Sequence, residues 1–124
     1  MKIATWNVNS LKVRLPQVLA WLEAVRPDVL ALQETKLTDE NFPVEAITGA
    51  GYRAVFAGQK TYNGVAILSK SMPDDVEMNF VAPDSPERRT VAATYDGVRV
   101  VNLYVVNGQE VGSEKYEYKL RWLE

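Results

Sequence analysis

Residues 2–34 read KIATWNVNSLKVRLPQVLAWLEAVRPDVLALQE, and the hydrophobic pattern changes twice along this stretch. The β-branched and aromatic residues of 2–8 predict a strand that runs into a loop. Apolar residues then recur at helical spacing from Leu11, and Pro27 is expected to end this helix. The continuous apolar run at 29–33 predicts a strand that is buried on both faces. A strand, a helix and a strand of this length indicate two parallel neighbouring strands.

The remainder of the chain predicts mainly short strands. They are expected at residues 52–57, 64–69, 76–80, 90–95 and 98–106, bounded by residues typical of turns. A short helix is expected around residues 44–50, and the pattern of 113–124 is helical again. Asp96-Gly97 predicts a two-residue hairpin turn between the last two strands. We therefore expect one α/β domain that spans residues 1–124.

The composition excludes several classes of chemistry. The chain of 124 residues contains no His and no Cys. Imidazole catalysis, thiol nucleophiles, thiolate zinc sites and disulfides are therefore excluded. Fourteen Lys and Arg against 16 Asp and Glu give a net charge of −2, so no overall basic field attracts nucleic acid. The sequence also lacks a membrane-span pattern and a signal-peptide pattern, so we expect a cytoplasmic protein without a membrane partner.

Asn7 and Glu34 stand at the ends of the predicted parallel strands, where ligands of such units gather. Asn7 offers an amide, and Glu34 offers the hard carboxylate oxygen that suits Mg²⁺. On spacing alone, turn stabilisation by Asn7 and a solvated strand-end charge at Glu34 are the simpler explanations of this pattern. Tyr104 shares a strand face with Val100 and Asn102 by period two, which by itself favours core packing.

Five segments together resemble the exodeoxyribonuclease III class of the endonuclease/exonuclease/phosphatase superfamily. In chain order they are KIATWNVNSLKVR, RPDVLALQETK, GQKTYNGVAILSK, ERRTVAAT and VVNLYVVNGQ. The pairing of WNVN with LQETK about 25 positions later is the most specific part, and the match extends over essentially the whole chain. The resemblance implies the N-terminal half of a sandwich of two mixed β-sheets flanked by helices.

The resemblance also implies an activity. Members of this class are DNA-repair phosphodiesterases that use Mg²⁺, with Mn²⁺ as the alternative ion. Their activities are 3′-to-5′ exonuclease, 3′-end cleaning and abasic-site endonuclease, so the implied partner is double-stranded DNA with abasic sites or blocked 3′ ends. The family's water-activating aspartate and its closing aspartate–histidine pair have no counterpart in this sequence. We therefore expect the isolated chain to be inactive without a C-terminal half of the same fold.

The family pattern assigns roles to individual residues. Glu34 matches the metal-binding glutamate, and Asn7 matches the asparagine that orders the metal and acid network. Tyr104 matches the tyrosine whose hydroxyl approaches the scissile phosphate, and Asn107 matches a nearby asparagine that contacts the phosphate or the DNA. Auxiliary positions near the metal match Asn9 and Lys36, and positions that approach DNA match Lys12, Tyr62 and Arg89. The sequence departs from the pattern at Val106, where many relatives have proline.

Two other interpretations stay open. The chain could be a non-catalytic truncated product that binds metal or DNA weakly, or that self-associates. Self-association requires an uncovered apolar sheet face, which we expect to include valines and leucines of 64–69 and 98–106. A phosphoinositide or sphingomyelin phosphodiesterase of the same superfamily is the other alternative. LQETK together with GQKxYNG favours DNA repair over that branch.

Overall fold

The structure is a computed structural model that describes residues 1–58, 63–78 and 88–104. The opening stretch forms the predicted strand, helix and strand: β1 (Ile3–Asn7), α1 (Leu11–Val25) and β2 (Val29–Gln33). The two strands are parallel, with Ile3 opposite Val29 and Asn7 opposite Gln33. Arg26 adopts a left-handed conformation directly after α1, with φ 51°, and its N–H donates to the carbonyl of Leu22. The helix thus ends at Val25, and the left-handed Arg26 separates it from Pro27.

The first sheet is mixed. Its remaining strands are β3 (Arg53–Ala57) and β4 (Val65–Ser69), and α2 (Val44–Gly49) precedes β3. The strand order is β1-β2-β4-β3, and β4 runs antiparallel to both of its neighbours. The described part of the second sheet is antiparallel, in the order β5 (Asp74–Met78), β6 (Thr90–Tyr95) and β7 (Val98–Leu103).

The predicted hairpin turn joins β6 to β7. Asp96 and Gly97 have φ values of 49° and 81°, and Tyr95 lies opposite Val98. Positive φ at both central residues is the geometry of the two-residue turn that matches strand twist. This hairpin lies at one end of β7, so Leu103 and Tyr104 lie at the other end.

Two apolar cores divide the molecule into layers. The first core joins the helices to one face of the first sheet, with Leu11, Val18, Leu22 and Ile47 against Leu30 and Leu68. The second core lies between the two sheets and includes Val65, Ile67, Val91, Tyr95 and Val100. Burial on both faces of the first sheet accounts for the continuous apolar runs of β2 and β4. The expected α/β architecture with two packed sheets is confirmed.

Some expectations about the elements were wrong in detail. A short 3₁₀ turn at Asp39–Asn41 was not predicted, because it lacks apolar periodicity, and β5 begins at Asp74 rather than at residue 76. All five residues of β4 are buried, so the expectation of exposed apolar residues in 64–69 was wrong. The same expectation is confirmed for β7, where Val101 and Leu103 are 49% and 43% exposed. The predicted helix at 113–124 lies outside the described residues.

Within the described ranges, neither α-helix is long and apolar enough to cross a membrane.

Candidate active site

The parallel pairing of β1 and β2 brings Asn7 and Glu34 together. Asn7 ends β1 opposite Gln33, and Glu34 follows directly on the neighbouring strand. The Asn7 Nδ2 group donates a hydrogen bond to Glu34 Oε2 at 2.5 Å. The Oδ1 atom of Asn7 accepts from the backbone N–H of Asn9 at 3.1 Å. Asn7 therefore orients the carboxylate of Glu34 while its own amide is fixed by the following loop.

Lys36 and Asn9 complete a polar network around the carboxylate. The Lys36 Nζ group donates to Asn9 Oδ1 at 2.6 Å and lies 3.9 Å from Glu34 Oε1. Both Glu34 and Lys36 have left-handed backbones, with φ values of 57° and 56°. This conformation is uncommon outside glycine, so a tight local turn is what sets the direction of both side chains.

Main-chain hydrogen bonds fix that turn from both sides. On one side, the N–H of Leu11 donates to the carbonyl of Thr35 at 3.0 Å. On the other side, the N–H of Thr35 donates to the carbonyl of Gly64 at 3.2 Å. Lys36 N–H donates to the carbonyl of Asn63 at 3.0 Å. The turn that carries Glu34 is thereby held between the start of α1 and the residues that precede β4.

Gly64 is required at its position by both conformation and space. Its φ is +90°, and a Cβ atom there would collide with Thr35 Oγ1. Thr35 is buried, so its side chain has no free space into which it could move away from such a Cβ atom. The N–H of Gly64 donates to the carbonyl of Arg88 at 2.8 Å, which connects this loop to the strand entering the second sheet.

Tyr104 reaches the same site from the second sheet. It follows β7 and packs against the core between the sheets. Burial raises the pKa of Tyr104 above its ordinary value, and the negative charge of Glu34 raises it further. The hydroxyl therefore stays protonated at neutral pH and can donate a hydrogen bond near the carboxylate.

Arg89 lies against Tyr104. Its guanidinium carbon is 4.7 Å from the centroid of the tyrosine ring, and its backbone carbonyl accepts from the Tyr104 N–H at 2.8 Å. A guanidinium above an aromatic face is attracted by the ring quadrupole. The positive charge thus lies at the same edge as Glu34 and Tyr104.

The remaining predicted residues fall into two groups. Lys12 lies in the first turn of α1 and lines a cavity of about 370 Å³ together with Leu37 and Asn41. Leu37 follows Lys36 in the chain, and no described hydrogen bond joins Lys12 to the network. Tyr62, Asn107 and Val106 lie outside the described residues.

The donor set suits a hard divalent cation held by one protein carboxylate. Among the residues that the structure describes, no group of three or more Asp, Glu, His or Cys side chains could hold a metal. Mg²⁺ is commonly bound by one or two carboxylates, with water and substrate phosphate oxygens completing its shell. Glu34, oriented by Asn7 and partly exposed, fits such a shared site.

Sequence reasoning missed two features that shape this site. At Gly64, the Asn-Gly pair before an apolar strand is the sequence signal of a constrained backbone. Asn102 was noticed only as a member of the Tyr104 face. A lone amide among valines on the inward face of a strand was the signal that could have identified it.

Comparison with known proteins agrees with this geometry. Residues 4–124 match the model of the Endonuclease/Exonuclease/phosphatase family. The chain is 34% identical to exodeoxyribonuclease III of Haemophilus influenzae over 119 residues, which cover 92% of this chain and 45% of that protein.

Solved structures give the same result. A 3′ phosphatase from Neisseria bound to a product DNA hairpin is 54% identical, with a TM-score of 0.95 over 98% of this chain and 48% of that one. An AP endonuclease from Archaeoglobus fulgidus is 44% identical, with a TM-score of 0.92 over 99% of this chain and 48% of that one. The chain spans about half the length of the relatives it matches, and it belongs to the endonuclease/exonuclease/phosphatase family.

Proposed function

We propose that this chain carries part of the active site of a Mg²⁺-dependent DNA-repair phosphodiesterase. The observation that carries the proposal is the juxtaposition of Glu34, fixed by Asn7, with the protonated hydroxyl of Tyr104. A carboxylate for a cation and a hydrogen-bond donor for a phosphate oxygen are two requirements of phosphodiester hydrolysis. The names of the relatives support DNA repair and the three activities of 3′-to-5′ exonuclease, 3′-end cleaning and abasic-site endonuclease.

Each residue has a distinct task in this proposal. Glu34 holds the cation, and Asn7 keeps its carboxylate in one orientation. A bound Mg²⁺ supplies charge neutralisation at the phosphate and stabilisation of the leaving oxyanion. Tyr104 donates to a nonbridging phosphate oxygen, and Asn107 is proposed to do the same. Lys36 and Asn9 keep the network around Glu34 ordered and limit its net negative charge.

The group that activates water is proposed to come from elsewhere in the fold. The chain contains no His, and Glu34 would hold the cation in this proposal. The relatives are about twice as long as this chain. We propose that a C-terminal half of the fold contributes the general base and further acids, so that residues 1–124 alone do not turn over.

DNA contacts are proposed for Lys12, Tyr62 and Arg89. Arg89 lies against Tyr104, Lys12 lies in the first turn of α1, and Tyr62 comes directly before Asn63 in the sequence. The proposed substrate is double-stranded DNA with an abasic site or a blocked 3′ end. The Neisseria relative bound to a DNA hairpin supports this choice.

The experiment is a reconstitution assay. Residues 1–124 are tested alone and with the C-terminal half of the Neisseria relative, on DNA carrying an abasic site or a 3′ phosphate. We expect cleavage only by the mixture and only with Mg²⁺ or Mn²⁺, and loss of cleavage with EDTA or with Glu34→Gln. Robust Mg²⁺-dependent cleavage by residues 1–124 alone would show that the site needs no second half.

A non-catalytic, self-associating product is the second candidate. It is favoured by the exposed apolar side chains Val101 and Leu103 on β7. Exposed apolar patches commonly mark surfaces that bind other proteins. An inactive mixture, together with concentration-dependent oligomers of the chain, would favour this candidate over the nuclease.

A further inference from the structure

The side-chain amide of Asn102 lies buried between the two sheets. Asn102 is 2% exposed, and its neighbour on the same face of β7, Val100, belongs to the apolar core. A buried amide without partners would destabilise the fold, because it loses its hydrogen bonds to water and gains none in return. Its retention in an apolar layer therefore calls for specific hydrogen bonds.

Those hydrogen bonds join the second sheet to the first. Asn102 Nδ2 donates to the carbonyls of Leu32 and Ala66, both at 2.8 Å. Leu32 on β2 lies directly opposite Ala66 on β4. Asn102 Oδ1 accepts from Gln33 Nε2 at 2.8 Å. Both amide hydrogens and the amide oxygen are thus used, and β7 is attached to two strands of the other sheet.

The network continues to β1 and lies directly beneath the candidate site. Gln33 Nε2 also donates to Thr5 Oγ1 at 2.9 Å. Asn7 comes two residues after Thr5, and Glu34 comes one residue after Gln33. Tyr104 comes two residues after Asn102. Each of the strands β1, β2 and β7 therefore contributes a side chain to the network just before the candidate group that it presents.

Apolar packing between the sheets cannot supply the same precision. Hydrophobic attraction is non-directional, so valine and alanine side chains permit small rotations of one sheet on the other. Fully paired buried polar groups favour one arrangement, because any displacement leaves a donor or acceptor unpaired. The hydrogen bonds of Asn102 act at the point where such a rotation would move Tyr104 relative to Glu34.

We propose that Asn102 is a positioning residue that sets the orientation of the two sheets and thereby holds Tyr104 against Glu34. Its catalytic consequence rests on the proposed nuclease function, whereas its structural consequence does not. The test compares Asn102→Leu, which keeps a similar volume without hydrogen bonds, with Val100→Ala. Val100→Ala is the matched control because it also weakens the inter-sheet core on the same face of β7.

The first readout needs no activity. Residual dipolar couplings are measured for backbone amides of β2 and β4 in the first sheet and of β6 and β7 in the second. Together they give the relative orientation of the two sheets in the full chain. We expect Asn102→Leu to change this orientation and to weaken NOEs between the Tyr104 ring and the Glu34 side chain. Val100→Ala is expected to leave both unchanged. Gln33→Met removes only the hydrogen bonds of Gln33 and should change the sheet orientation less. This variant replaces Asn102→Leu in the test if Asn102→Leu does not fold.

The second readout is the reconstituted nuclease. Asn102→Leu is expected to lower kcat by about tenfold or more with little change in KM, since misplaced groups mainly lose transition-state contacts. Val100→Ala should stay close to the unsubstituted protein. If the mixture shows no cleavage at all, the proposed function fails while the couplings still decide the positioning role. Unchanged couplings and NOEs in both Asn102→Leu and Gln33→Met would overturn the inference.

Discussion

The guanidinium of Arg89 lies over the ring of Tyr104, and the backbone of the same two residues is joined by a hydrogen bond of 2.8 Å. The pair places a fixed positive charge beside a protonated hydroxyl at the edge that carries Glu34. A phosphate at this edge would meet an attractive charge and a hydrogen-bond donor together. We therefore expect the charge of Arg89 to contribute to the proposed affinity for DNA.

Substituting Arg89→Ala should weaken DNA binding and reduce its salt dependence. Removing one phosphate contact lowers the slope of log affinity against log salt by about one. Fluorescence anisotropy with an abasic-site duplex at several salt concentrations measures both effects. Arg99→Ala is the matched control, because Arg99 pairs with Glu77 near the hairpin end of β7, away from the site. Equal losses in both variants would indicate a general charge effect and no specific contact at Arg89.

Gly64→Ala should destabilise the chain strongly. The new Cβ would collide with Thr35 Oγ1 and would stand at a φ of +90°. We expect a loss of about 2–4 kcal/mol from overpacking and backbone strain together. Gly97→Ala is the control, because its φ is +81° but no atom lies within 4 Å. It should lose only about 1 kcal/mol in urea unfolding. Equal losses of unfolding free energy in Gly64→Ala and Gly97→Ala would contradict the tight contact between residue 64 and Thr35.

The pKa of Tyr104 should fall when Glu34 is neutralised. Burial and the Glu34 carboxylate both raise this pKa, so the folded state favours the protonated hydroxyl. Its contribution to stability is therefore present below the ordinary tyrosine value and is lost as pH rises through the raised one. In Glu34→Gln burial still raises the pKa of Tyr104 and Arg89 still lowers it, while the effect of the Glu34 charge is lost, so the pKa should move back toward its ordinary value.

Carbon-13 NMR of labelled tyrosines measures this shift. Tyr52 is the internal control, because its pKa is also raised mainly by burial while its hydroxyl donates to the carbonyl of Pro27. The Tyr52 value should not change in Glu34→Gln. An unchanged pKa of Tyr104 in Glu34→Gln would mean that the Glu34 carboxylate does not affect the Tyr104 hydroxyl.

The exposed apolar side chains of β7 should promote association. Val101 and Leu103 share the outward face of this strand. Sedimentation of the chain should show concentration-dependent oligomers, and the double substitution Val101→Ser and Leu103→Ser should reduce them. Ile3→Ser on β1, where Ile3 is 49% exposed, is the comparison for an exposed apolar residue on the other sheet. Sedimentation as a monomer at all concentrations would contradict association through the outward face of β7.

The local hydrophobic pattern was sufficient to predict the part of the candidate site that Asn7 and Glu34 form. The change from strand to helix to strand over residues 2–34 predicts parallel β1 and β2, and parallel strands place Asn7 beside Glu34. The hairpin at Asp96 and Gly97 was predictable for the same reason, since the two residues specify their own backbone conformation.

The rest of the candidate site depends on contacts between sheets, which no local pattern encodes. Tyr104 lies beside Glu34 only because the second sheet packs on the first with one orientation. Asn102 and its partner Leu32 are 70 residues apart in the chain. The role of Gly64 is equally non-local, because the atom that excludes a side chain belongs to Thr35. Family resemblance named Tyr104, but its physical basis became visible only in the packed structure.

Paramagnetic broadening by Mn²⁺ tests most directly whether Glu34 is the centre of a cation site. Substoichiometric Mn²⁺ is added to isotope-labelled chain, and the loss of NMR signals is mapped. We predict that the side-chain amide of Asn7 and the backbone amides of Thr35 and Lys36 broaden first, and that Glu34→Gln abolishes this effect while Glu77→Gln does not. Broadening centred on Asp74, Asp75 and Glu77, or an unchanged map in Glu34→Gln, would contradict the metal role of Glu34.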